Sequence, residues 1–242
     1  MKPIRINPHL EIQQESISEG YDCVVVDNFL QNPHDVIDYA SRHADRLQMR
    51  PRGSFPGKQF ILDGDALTDF YRFIRSNMPK RLGFFRGDMK MWSLLALTTA
   101  QPEELCGFQM LCHVDTNPHP DRMIFAGLLY LFDDQDLGGT GFYRWLDLDL
   151  KQEATALEDE NPGAGLEFLR ERFPTLATPA AYLTGSNEVV ENLCTIPARF
   201  NRFIFYSGRT PHSAAIAAPK KLSTDPSNGR LTLNVFASVV PK

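Results

Sequence analysis

The chain has 242 residues, enough to bury a sizeable core without disulfides or a structural metal. Its net charge of -5, from 25 basic and 30 acidic residues, leaves no basic footprint for nucleic acid or for an anionic membrane surface. No run of about 18 or more apolar residues appears, and the start, "MKPIRINPHLEIQQE", has no apolar core of signal-peptide length, so the expectation is a cytoplasmic protein with no membrane partner, folded as one domain over residues 1–242.

Residues 21–30, "YDCVVVDNFL", read as a strand. A helix follows in "NPHDVIDYASRHADRLQ", with Asn32 at the N-cap and Pro33 at the first helical position. "PRGSFPGKQF" is turn-rich and reads as a surface loop. "DALTDFYRFIRSNMP" spaces Leu67, Phe70, Phe73 and Ile74 at helical intervals and is expected to stop before Pro79. From about residue 84 the pattern turns to short runs rich in aromatic and branched residues. These are "KMWSLLALTTA", "GFQMLCHVD", "MIFAGLLYLF", "GTGFYRW", "NRFIFYSG" and "RLTLNVFASVV". Helices first and strands later point to an α+β fold, with residues 1–83 supporting a strand-built core over 84–242.

The stretch 147–192 breaks that rhythm. It is acidic and partly helical, with its best helix from Gly165 to Phe173. A connection this long is either a substrate lid or a solvated excursion. The four cysteines are scattered without a CxxC pair and are expected to be free thiols. Cys112, beside His113, reads as a small buried apolar residue.

Three polar residues stand out inside the apolar runs: His113 and Asp115 in "MLCHVD", and His212 in "NRFIFYSGRTPHSA". On a strand, residues 113 and 115 project to one side, so an imidazole and a carboxylate face the same ion. His212 lies at a strand entrance and would complete a two-histidine, one-carboxylate set suited to Fe(II). His9, His34 and His43 have no comparable context, and His119 lies in a Pro-rich turn that cannot continue the same ladder.

Taken together, these runs resemble the Fe(II)/2-oxoglutarate dioxygenases, nearest the prolyl-hydroxylase-like branch, over about residues 90–238. "CHVD", "IFAGLLYLFDDQDLGGTGFYRW", "NRFIFYSGRTPHSA" and "GRLTLNVFA" come in that family's order. The resemblance implies a double-stranded β-helix, or jelly roll, with supporting helices. It makes His113, Asp115 and His212 the iron ligands and 2-oxoglutarate the cosubstrate. Arg230 would bind the far carboxylate, with Thr232 on the same strand face and Tyr130 reaching the same group. No catalytic residue is expected beyond the metal ligands. Gly138, Gly139 and Gly141 read as turn formers.

The chain departs from the branch in two places. The spacing from His212 to Arg230 is longer, with "APKKLSTDPSNG" as an extra surface loop, and "CGFQML" lacks the tyrosine-rich pattern common in prolyl hydroxylases. The expected activity is oxidation, such as hydroxylation, of a small-molecule or peptide substrate. The competing reading is a non-catalytic double-stranded β-helix protein that binds a ligand or partner. A cupin-like metalloenzyme is disfavoured by Arg230, because it needs no dicarboxylate clamp. The sequence leaves substrate identity and oligomeric state open.

Overall fold

The computed structural model describes residues 1–49, 55–84, 88–116, 119 and 121–240. In chain order the first half holds β1 (Ile12–Ser18), β2 (Tyr21–Val26), α1 (Pro33–Arg42), β3 (Gln48–Met49), β4 (Gly57–Ile61), α2 (Thr68–Leu82) and β5 (Met89–Thr98). The second holds β6 (Met123–Tyr130), β7 (Thr140–Trp145), α3 (Leu148–Glu160), α4 (Ala164–Arg172), β8 (Val190–Ile196), β9 (Phe203–Ser207), β10 (His212–Ala214) and β11 (Arg230–Val239). Among the described residues the strands form two antiparallel sheets. The large one runs β1-β2-β9-β6-β11-β5-β4-β3 and the small one β10-β7-β8. The mixture of helices and a large antiparallel sheet agrees with the α+β expectation.

β11 lies inside the large sheet, and its strict alternation sorts two faces. Leu231, Leu233, Val235, Ala237 and Val239 join Phe125, Leu129, Phe203 and Phe205 in one apolar cluster with Phe70, Ile74 and Met78 of α2. Arg230, Thr232 and Asn234 alternate onto the other face. There Tyr130 and Tyr206 of the large sheet meet Phe142 and Ile196 of the small one. Sandwiched between the two sheets, this second interior is aromatic and polar together.

Several expectations need correction. "GFQML" is no strand: Gly107–Met110 is a 3-10 turn, and His113 enters only a single β-bridge, to His212. Local capping captures that backbone, since Cys106 N donates to the Gln109 side chain at 2.9 Å and Gly107 takes φ +49°. α2 runs through Pro79 to Leu82 and ends at Gly83 in the left-handed region. Burial of Phe70, Ile74, Met78 and Pro79 outweighs the one hydrogen bond that proline removes. Asn32 occupies the N-cap position of α1 without capping it. Its Oδ1 accepts from Arg5 N instead, at 3.0 Å. Residues 57–60, expected as loop, belong to β4 (Gly57–Ile61), paired with β5, while residues 51–54 of that expected loop lie outside the described residues.

The 147–192 stretch is tied down. It carries α3 as well as α4, and Ala154, Leu166 and Leu169 are buried with Trp145 and Leu111. Glu158 accepts from Phe108 N, Gly163 N and Gly165 N at 3.0–3.1 Å. The same carboxylate therefore holds the α3–α4 junction and the turn that leads into His113. No helix among the described residues is long and apolar enough to cross a membrane.

Candidate metal centre

After the Gly107–Met110 turn the chain extends, and His113 meets His212 as a direct antiparallel partner. His113 N donates to His212 O at 3.0 Å, and His212 N donates to His113 O at 2.9 Å. Their ring centroids are 4.5 Å apart. Two residues on, Asp115 N donates to Gly208 O at 2.8 Å, and Gly208 N donates to Ile124 O at 2.9 Å. Asp115 therefore hangs from the large sheet through the turn that follows β9. A Cβ at Gly208 would lie 2.7 Å from Asp115 Oδ2, so the close approach requires glycine.

The ligand atoms of His113, Asp115 and His212 lie within 4.8 Å of one another, as a metal-holding group must. His212 Nδ1 lies 2.8 Å from Thr210 O, an atom that can only accept, which puts the imidazole proton on Nδ1. The Nε2 lone pair is left 3.7 Å from Asp115 Oδ2. That carboxylate oxygen is buried and has no hydrogen-bond partner. Two acceptor atoms face each other with no donor between them among the described residues, an arrangement that a cation satisfies.

Burial pushes both imidazoles down, to about 4, with the neighbouring His212 adding to the effect on His113. It pushes the Asp115 carboxyl up, to about 6, against the pull of His113. At neutral pH the set is two neutral imidazoles and one carboxylate, the protonation states that bind a first-row divalent ion. The competing His119 is exposed and lies outside this group. Cys112 is buried with Leu111 and Trp145, its thiol pushed up to about 12 by desolvation, as the small apolar reading expects.

Arg230 is 2% exposed. Its Nε donates to Leu137 O at 2.8 Å, Nη2 to Gly139 O at 3.1 Å, and Nη1 to Thr98 Oγ1 at 3.2 Å. All of these acceptors are neutral, and no carboxylate among the described residues pairs with it. Tyr130 lies directly across from Thr232, and its hydroxyl shares a 2.7 Å hydrogen bond with Thr140 Oγ1. Thr232 Oγ1 has only a long contact, 3.5 Å, to Ala96 O.

Tyr206 went unread in the sequence. It is buried edge-on to His212, with centroids 4.9 Å apart. Burial pushes its phenol well above the ordinary range, with Asp115 adding to that push and Arg230 opposing it. Strand alternation in "FIFYSG" carried the signal: Tyr206 shares a face with Ile204, turned away from Phe203 and Phe205.

A groove of about 1710 Å³ opens over His113 and Asp115. Trp92 and Phe236, stacked 5.6 Å apart, form part of one wall. Leu148, Lys151, Gln152, Thr155 and Asp159 of α3 line another, at the spacing of one helix face. Leu222 and Thr224, from the stretch expected to be only a surface loop, also line it. Its lining does not include Arg230, Tyr130 or Thr232.

The chain belongs to DUF6445, a family of unknown function, whose model matches residues 8–237. No curated protein matches it in sequence. Among solved structures it is similar to the non-heme alpha ketoglutarate dependent epimerase SnoN from nogalamycin biosynthesis. The identity is 15%, over 89% of this chain and 76% of that one, with a TM-score of 0.43. It is similar to a prolyl-4-hydroxylase of Pseudomonas putida at 14% identity, 91% and 92% coverage and a TM-score of 0.43. It is also similar to HygX of Streptomyces hygroscopicus with nickel and 2-oxoglutarate bound, at 10% identity, 91% and 84% coverage and a TM-score of 0.44.

Proposed function

We propose that this member of the DUF6445 family is an Fe(II)- and 2-oxoglutarate-dependent dioxygenase acting on a C–H bond of a small-molecule or peptide substrate. The observation that carries the reading is the buried, partnerless Asp115 Oδ2 facing the deprotonated Nε2 of His212, with His113 bridged beside them. In this reading the two sheets are the faces of a double-stranded β-helix, and residues 1–242 form one domain. His113, Asp115 and His212 hold the metal. Iron bound there with 2-oxoglutarate and oxygen supplies the oxidising power for an unactivated C–H bond.

The chain's own residues have distinct tasks. The Thr210 carbonyl fixes the His212 tautomer. Asp115 fills its ligand position with a carboxylate, which favours hydroxylation or desaturation over halogenation. Arg230, Tyr130 and Thr232 receive the far carboxylate of 2-oxoglutarate. What supports this is a buried guanidinium held only by neutral oxygens, for which a carboxylate is the stronger partner. The aromatic wall and the α3 face take the substrate and keep bulk water from the metal.

Anaerobic titration with Fe(II) and then 2-oxoglutarate tests the reading. The expected result is the weak visible charge-transfer band of the chelate. Absence of the band with Fe(II) bound removes the cosubstrate. Absence of Fe(II) binding removes the metal site and leaves the non-catalytic binding protein.

A further inference from the structure

Arg230 and Tyr130 also make contacts that need no cosubstrate. Both belong to the large sheet, and both reach across the interior to adjacent residues at the start of the small one. Arg230 Nη2 donates to Gly139 O at 3.1 Å, and the Tyr130 hydroxyl bonds Thr140 Oγ1 at 2.7 Å. These two residues sit opposite the far end of β10. Thr140 pairs with Ala214, and Ala215 N donates to the same Gly139 O at 3.1 Å. The first residue of β10 is His212. A three-residue strand has little ladder of its own to hold a register.

The packing at that end is close. A Cβ on Gly138 would come 1.9 Å from Ala215 O, and one on Gly139 would come 1.9 Å from Ile196 O. Asp115, in contrast, is hung from the large sheet through Gly208 and Ile124. Near the site the His113–His212 bridge and the Ser207–Thr210 turn restrain the gap between His212 Nε2 and Asp115 Oδ2, and at the far end of β10 it depends on how the small sheet is fastened to the large one.

We infer that Arg230 and Tyr130 are positioning residues for His212: they pin the start of β7 to the large sheet and, through Gly139 and Thr140, hold β10 at the distance the metal site needs. This rests on the metal reading above and goes beyond it, because it gives both residues a task before any cosubstrate binds. Electrostatics alone predicts the opposite sign for Arg230. Removing a cation near a dication would strengthen metal binding, whereas losing the pin weakens it.

The test is Co(II) titration of metal-free protein, with 2-oxoglutarate absent, followed through the d–d absorption of the bound ion. Tyr130→Phe and Thr140→Val each delete the same hydrogen bond. Each should weaken Co(II) binding about tenfold, the lower end for residues that orient a metal ligand. The double variant should be no worse than either alone, since one contact is lost once. The d–d bands should change in intensity, which a uniformly destabilised fold would not produce. Arg230→Gln should weaken binding at least as much despite the lost positive charge. Wild-type affinity and an unchanged spectrum in Tyr130→Phe and Thr140→Val would overturn the inference, as would tighter binding in Arg230→Gln. If Arg230→Gln does not fold, the other two variants decide. If wild type itself takes up no Co(II), the metal reading falls and the inference falls with it; wild-type binding that the variants match sinks the inference alone.

Discussion

The two faces of the large sheet are made by the same strands and the same alternation, yet they differ in kind. The face toward α1 and α2 is hydrocarbon: Phe29, Phe70 and Phe203 pack as a ring cluster, with centroids 4.6 and 5.2 Å from Phe203 to the other two. The opposite face buries Arg230, Thr232, Tyr130 and Tyr206, and it leaves Asn234 Oδ1 without a partner. Burying polar groups costs free energy that an apolar residue would not. The helix-side face stabilises the fold, and the interior face gives up part of that stability to bury polar groups.

The sharpest way to break this comparison is Asp115→Asn. Metal binding should drop by more than about a thousandfold, because a neutral amide replaces the anionic ligand. Stability of the metal-free protein should rise. The sign follows from protonation. The Asp115 carboxyl has a folded value of about 6 against an ordinary 3.8. The folded state holds that proton more tightly, so the group favours folding below pH 3.8 and that contribution is lost as pH rises through 6. The histidines behave oppositely: both are depressed to about 4 from 6.5, so their contribution is present above 6.5 and lost as pH falls through 4. Asp115 also pulls His113 upward, so the two proteins are compared at pH 7, where both imidazoles are neutral with or without that carboxylate. Denaturation with metal absent should find the variant more stable by about 2–3 kcal/mol at pH 7, with the advantage vanishing near pH 4. A variant less stable at pH 7 would mean that Asp115 carries a structural load instead.

On the other face the expected effect is a loss of stability with the site intact. Phe203 is fully buried and touches the rings of Phe29, Phe70 and Phe73. Phe203→Ala should cost about 3–5 kcal/mol in urea denaturation, while Co(II) affinity of the remaining folded protein stays within about twofold. A loss of affinity as large as that of Asp115→Asn would show that the faces are not separable.

The sequence showed this division where strands alternate cleanly. "RLTLNVFASVV" and "MIFAGLLYLF" reveal both their strand character and which residues share a face, and they become β11 and β6 in matching register. The three residues singled out in the sequence, His113, Asp115 and His212, also come together in the structure as a group that could hold a metal, with His212 opening a strand. Elsewhere local chemistry hid the outcome. β8, "VENLCTI", mixes Glu, Asn, Cys and Thr on a half-exposed edge strand, so neither period stands out. The run before His113 is apolar enough for a strand, but the Gln109 side chain and Gly107 turn it into a 3-10 segment. Arg230 was legible as an interior cation on a core strand. Its carbonyl partners at Leu137 and Gly139 were not, because they lie far away in sequence and depend on how two sheets meet.

The smallest expected effect bears on Asn234, and it sharpens the comparison most finely. Its neighbour Val235 belongs to the helix-side cluster, while Asn234 points to the interior with its Oδ1 buried and partnerless. Cross-strand, it faces Leu94 and Leu128. Leucine has the same branching at Cγ as asparagine, its two methyl groups are larger than the amide atoms they replace, and it needs no hydrogen bond. Removing a buried acceptor that has no partner is neutral or stabilising, whereas removing one that has a partner costs about 1–3 kcal/mol. Asn234→Leu should therefore leave stability unchanged or raise it by up to about 1 kcal/mol, measured by thermal and urea denaturation. A loss of 2 kcal/mol or more would show that the amide holds the interior together. A gain accompanied by weaker 2-oxoglutarate or substrate binding would instead mark Asn234 as a polar group kept on this face for its ligand.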